Sequence, residues 1–186
     1  MFERISLFLP RKFLMITTKM KIKTWILIGM SALLFLSTAT EDASLTEGYQ
    51  PGYYAPKIAL PENNQTIEFT AQSGHYTLVN FWAAYDAVSR VRNVQLWNRM
   101  NELDSTCITL YSVSLDERVS VYEETLKTDQ LEKTNQLHDI QGLKSSLYKK
   151  YRLNKGFRNF LIDDKGVIIA IAVTPDQLSG FEKKDE

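Results

Sequence analysis

Very few of the 186 residues can do covalent chemistry. There is one cysteine, Cys107, and there are two histidines, His75 and His138. A single cysteine forms no disulfide within the chain. Cys107 also opens an apolar run, Cys107–Ser114, where a thiol behaves as a small buried hydrophobe. His138 is followed by Asp139, a pairing that can orient an imidazole base, yet no Ser or Cys nucleophile is set beside it by any pattern. Solvated or capping roles are therefore expected of both histidines. Zinc would have to recruit carboxylates to complete its ligand set, so no metal site is expected. The chain has no glycine loop to cradle phosphate and no Gly-x-Ser-x-Gly elbow, and no cofactor is expected.

The position of most interest is Asp86, in Asp86-Ala87-Val88-Ser89-Arg90. It directly precedes a helix expected over Ala87–Leu103, where the first-turn N–H groups lack intrahelical acceptors. A carboxylate there either caps the helix or binds a ligand. Val91, Val94, Trp97 and Leu103 give that helix its apolar stripe.

Charge separates the chain into a leader and the rest. Six basic residues and one acidic residue precede position 40, leaving 16 basic against 21 acidic residues and a formal net charge of −5. An acidic domain without a basic stripe is a poor partner for nucleic acid. Its only basic cluster, Tyr148-Lys149-Lys150-Tyr151-Arg152, reads as a solvated helix face. The leader carries Lys21 and Lys23 ahead of an apolar run, Trp25–Leu36. That run suits a signal-peptide core and is short for a membrane span. Ser37-Thr38-Ala39 predicts cleavage after Ala39, so residues 1–39 form an N-terminal extension plus signal peptide. Met20 offers a more usual signal start than Met1. An uncleaved inner-membrane anchor over residues 22–39 is the alternative, and membrane contact would then run through the leader alone. Both readings place the domain in the periplasm or cell envelope.

Residues 40–65, with Gly48, Pro51, Gly52, Pro56 and Pro61, read as an irregular lead-in, and residues 66–186 as the folded domain. Thr66–Phe69 alternates as a short strand, and Tyr76–Trp82 suits a strand buried on both faces. Further elements are a strand at Cys107–Ser114, helices at Val119–Thr128 and Leu143–Tyr151, and strands at Phe160–Ile162 and Val167–Ile171. The last two are joined by the turn Asp163-Asp164-Lys165-Gly166. Thr174-Pro175-Asp176-Gln177 is a capping box for a terminal helix. Two βα crossovers followed by an antiparallel hairpin predict an α/β fold, a mixed central sheet flanked by helices on both faces.

Four segments resemble the exported thiol–disulfide oxidoreductases of the thioredoxin superfamily, the peroxiredoxin-related branch. They are Gly52–Leu60, Leu78-Val79-Asn80-Phe81-Trp82-Ala83-Ala84-Tyr85, Tyr111–Asp116, and the hairpin Phe160–Ile168. The resemblance spans residues 50–182 and implies a thioredoxin-like fold. It also implies a Cys-x-x-Cys pair and a cis-proline, and both are replaced here: Asp86 and Ser89 stand at the cysteine positions and Phe157 at the proline position. In the family the first Cys sits at a helix N-terminus as a thiolate, and the second resolves the mixed disulfide. Neither Asp86 nor Ser89 can exchange with sulfur.

The resemblance therefore implies a degenerate active site and no catalytic residue. The expected function is a non-catalytic binding or structural module, with an extended peptide or another envelope protein as partner. Trp82, Tyr85, Arg90 and Arg158 are candidate groove residues. Phe157 either fills the groove or offers it an aromatic contact. The alternative is a cell-envelope redox protein of oxidoreductase or antioxidant type, acting through Cys107 with a partner thiol.

Overall fold

The computed structural model describes residues 46–60, 65–67, 69, 73–103 and 106–181, all within one compact unit, Leu45–Glu186. The expectations for residues 1–39, the cleavage site after Ala39 and the anchor at 22–39 lie outside the described residues. Among the described residues, no helix is long and apolar enough to cross a membrane.

The elements are β1 (Ile58–Leu60), β2 (Gln65–Ile67), β3 (Tyr76–Trp82), α1 (Ala87–Glu102), β4 (Ile108–Ser114), α2 (Val119–Thr128) and β5 (Gln136–His138). They continue with α3 (Ser146–Lys150), β6 (Asn159–Ile162) and β7 (Ile168–Ile171). The central sheet runs β5-β4-β3-β6-β7. β3 pairs in parallel with β4, β4 in parallel with β5, and β6 runs antiparallel to both β3 and β7. This is the mixed α/β sheet that the two crossovers and the closing hairpin require.

Alternation along the strands sorts the core onto two faces. On one, Leu78, Leu110 and Leu161 pack against Leu96 of α1, and Trp82 packs against Tyr122 and Leu126 of α2. On the other, Val79, Phe81, Val113 and Phe160 meet Leu147 of α3, Tyr151 and the β1–β2 hairpin. Tyr151 is fully buried, its ring 4.7 Å from that of Phe81, and its hydroxyl donates to the carbonyl of Pro56 at 2.6 Å.

Four local expectations need correction. The lead-in is built into the fold: it contains β1, Ile58 is fully buried, and Ala55 N donates to Gly166 O at 2.9 Å. The apolar stripe on α1 holds only in part. Leu103 is buried and Val94 and Trp97 pack against the Trp82 cluster, but Val91 is 55% exposed, and Ser89, Asn93 and Leu96 also face inward. A polar row across the sheet beneath this helix, Asn159–Asn80–Ser112–Gln136 in register, accounts for the polar inner residues. The helix expected at Leu143–Tyr151 is a 3-10 turn, Gly142–Lys144, followed by α3. Ser145 breaks it by capping Leu147 N at 3.0 Å. The terminal helix is a run of 3-10 turns, Pro175–Phe181, entered where Thr174 N donates to Gln177 Oε1 at 2.9 Å.

Candidate functional site

The C-terminal end of β3 feeds the loop Ala83–Asp86 into α1, and this junction holds the residues singled out by type and spacing. Asp86 is extended at φ −102°, ψ 98°, and its Oδ1 accepts from Ser89 N at 2.8 Å. Ser89 Oγ donates to Asp86 O at 3.1 Å and accepts from Ala83 N at 3.3 Å. The two residues close a hydrogen-bonded ring over the first turn, with Ser89 buried at 1% exposure. An oxygen and a hydroxyl held in this way cap a helix; they offer no sulfur for exchange.

Phe157 stands opposite, on the segment entering β6. Its ring makes edge contacts with Tyr85 at 6.2 Å and Tyr148 at 6.4 Å. Its carbonyl accepts from Arg92 Nη1 at 2.8 Å. Phe157 thus occupies the space between α1 and α3, while Tyr85 remains 62% exposed. The Tyr85 phenol is held above its ordinary pKa, first by partial burial and then by Asp116, Tyr148, Asp86 and Glu117.

The other three proposed groove residues are each engaged in the fold, Arg90 while still lining the surface beside Tyr85 and Val91. Trp82 is fully buried against α2, so it supports the site from beneath. Arg90 makes a two-pronged contact with Asp129, 2.7 Å from Nε and 2.5 Å from Nη2. It ties α1 to the end of α2, and the Asp129 hydrogen bond raises its pKa. Arg158 turns back onto its own chain, donating to Lys155 O at 3.2 Å and Gly156 O at 3.4 Å.

Asp116 was missed. Both of its carboxylate oxygens accept from Ala84 N, at 3.1 and 3.0 Å, and Ser114 Oγ donates to Oδ2 at 2.8 Å. It is 3% exposed and locks the loop before α1 to the end of β4. Its signal in the sequence was an acidic residue ending an apolar strand.

The histidines are structural. His138 Nε2 donates to Asp116 O at 2.6 Å, and the ring stacks on Tyr122 at 4.7 Å. Asp139 instead accepts from Ser145 Oγ and Gln141 N, so His138 and Asp139 do not form an oriented pair. His75 bridges Thr106 O and Thr109 Oγ1. Cys107, half-buried, donates to Phe181 O at 3.7 Å. It sits before β4 at the sheet end opposite Asp86, about 20 Å away at strand rise. Among the described residues, no group of three or more His, Cys, Asp or Glu is placed to hold a metal ion.

Neither a family model nor a curated protein sequence matches the chain. Solved structures do. A thioredoxin-like protein from Parabacteroides distasonis is 52% identical, with 73% of this chain and 96% of that one covered at a TM-score of 0.67. A thiol-disulfide oxidoreductase from Bacteroides fragilis is 26% identical, covering 68% of this chain and 95% of that one, TM-score 0.56. A thiol:disulfide interchange protein from a Bacteroides species is 24% identical, covering 74% and 88%, TM-score 0.56, a likeness of fold alone.

Proposed function

The chain belongs to the thioredoxin-like family, and from that membership we propose that it is an exported, non-catalytic binding module of the peroxiredoxin-related branch. One observation carries this reading. Asp86 and Ser89, which the resemblance sets at the positions of the redox pair, are bonded to each other through side chain and backbone. Thiol exchange needs an attacking thiolate and a resolving sulfur, and neither position has one. Cys107 lies at the other end of the sheet and cannot replace them.

The partner is an extended peptide or another envelope protein. It meets the face where Tyr85, Val88 and Val91 are exposed beside Phe157. A ring packed between Tyr85 and Tyr148 favours side-chain contact with that partner over threading of its backbone. The leader delivers the domain to the periplasm or cell envelope, with residues 22–39 as an inner-membrane anchor in the alternative case.

Two measurements test the reading. Full-length protein should reduce insulin disulfides no faster than buffer. A photo-crosslinking residue at position 85 should capture an envelope partner in cells, whereas one at Ile169 should not. Turnover that disappears in Cys107→Ser would establish the redox alternative.

A further inference from the structure

A second cleft, of about 730 Å³, lies away from the α1 site, between loop 46–56 and the segment following α3. One wall is aromatic, formed by Tyr49 and Tyr53. The other is basic, formed by Lys149, Lys150 and Arg152. Lys150 is paired with Glu47 at 3.1 Å. Lys149 and Arg152 have no carboxylate partner among the described residues, so the cleft carries a local positive charge on a domain that is acidic as a whole. Arg152 lies over the Tyr49 ring at 5.9 Å, which brings a guanidinium and an aromatic face together at one point.

The cleft is built rather than incidental. Tyr151 anchors both walls, since its buried ring fixes the segment after α3 and its hydroxyl holds Pro56 O in the opposite loop. Gly52 N and Ile168 N exchange hydrogen bonds with Ile168 O and Tyr53 O, at 2.8 and 2.9 Å, stitching the aromatic wall to β7. Gly48 forms the floor: a Cβ there would lie 2.7 Å from the Tyr53 ring. Arg152 is held at φ 52°, a conformation that L side chains rarely adopt.

The geometry points to a binding site for a small organic anion, a phosphate or carboxylate attached to a ring. The acid group pairs with Lys149 and Arg152, and the ring stacks on the tyrosine wall. This assignment is independent of the partner face around Tyr85.

Calorimetric titration of the full-length protein with phenyl phosphate tests it, with benzoate run in parallel to separate phosphate from carboxylate and inorganic phosphate to isolate the ring. One-to-one saturation by phenyl phosphate or benzoate at low salt is expected, with affinity falling about tenfold or more in Lys149→Gln/Arg152→Asn. Asn accepts the left-handed backbone, so this variant removes charge without unfolding the turn, and its melting temperature should match the parent. Tyr49→Leu should weaken the aryl anion and leave inorganic phosphate unchanged. Absence of saturation by either aryl anion, or equal affinity in the double variant, overturns the site.

Discussion

Arg92 Nη1 donates to the carbonyl oxygen of Phe157 at 2.8 Å, joining residues 65 apart in sequence. The contact clamps the second turn of α1 to the segment entering β6. Burial lowers the Arg92 pKa, and Asp86 opposes that shift. The backbone beside the degenerate pair is therefore already committed: Arg92 takes the carbonyl of Phe157, and the Arg158 side chain takes those of Gly156 and Lys155. An incoming strand has little left to pair with here. The side chains of Tyr85, Val88 and Val91 remain exposed on this face.

Restoring sulfur alone should not restore chemistry. Asp86→Cys/Ser89→Cys places two thiols at the start of α1, but Phe157 and its clamp still fill the space a disulfide must enter. Insulin reduction by this double variant should stay about tenfold or more below that of a triple variant adding Phe157→Pro, because small misplacements at a reacting centre are costly. Equal rates in the two would show that Phe157 obstructs nothing.

Asp86→Ala should destabilise the domain by about 1 kcal/mol through loss of the cap, and Asp86→Asn or Asp86→Ser by much less. Urea titration reads this as shifted midpoints at unchanged slope. A ligand carboxylate would behave oppositely, its removal leaving stability unchanged or raising it. Equal midpoints for all three variants would remove the capping role.

The central strand and the second helix were legible because their patterns are local: the nearly continuous apolar run Tyr76–Trp82 and the helix Val119–Thr128 end where the sequence pattern ends. The inner face of α1 was legible only in part: Val94, Trp97 and Leu103 pack inward as their spacing implies, while the buried Ser89 and Asn93 gave no such signal. Val88 and Val91 supply hydrophobicity at helical spacing, but the sheet beneath the helix is polar at Asn80 and Ser112, and a sequence does not show what a helix will lie upon. Asp86 was legible because a cap is a local relationship. Arg90 and Trp82 were not, because Asp129 and Tyr122, their partners, lie 39 and 40 residues further along the chain.

Alkaline pH should unfold the protein through two tyrosines. Burial pushes Tyr122 up to about 12 and raises Tyr151 further. A phenol whose folded pKa exceeds the unfolded value of about 10 contributes fully below pH 10. That contribution is lost as pH rises through the folded pKa, since the unfolded chain ionises first. For Tyr122, two pKa units correspond to on the order of 2–3 kcal/mol at most, lost between about pH 10 and 12. Ultraviolet titration at the phenolate band should show these two of the nine tyrosines ionising together with loss of far-ultraviolet ellipticity. Ionisation of all nine before any unfolding would contradict it.

Asn93 on α1 and Ser112 in the polar row beneath it face opposite demands. Asn93 is fully buried; its Oδ1 accepts from Asn80 Nδ2 at 3.0 Å and its Nδ2 donates to Gln136 Oε1 at 3.5 Å. Removing that amide leaves the Asn80 donor and the Gln136 acceptor buried without partners, so Asn93→Ala should cost about 2–3 kcal/mol. Ser112 lies in the same row, fully buried, yet its Oγ has no hydrogen-bond partner among the described residues. A buried hydroxyl without a partner is already a cost to the folded state. Ser112→Ala should therefore be neutral within about 0.5 kcal/mol, or stabilising, the lost volume being a single oxygen. Urea midpoints of the two variants test both claims. A Ser112→Ala loss as large as that of Asn93→Ala would mean that the hydroxyl bonds within the row and that the row is one continuous network from β6 to β5.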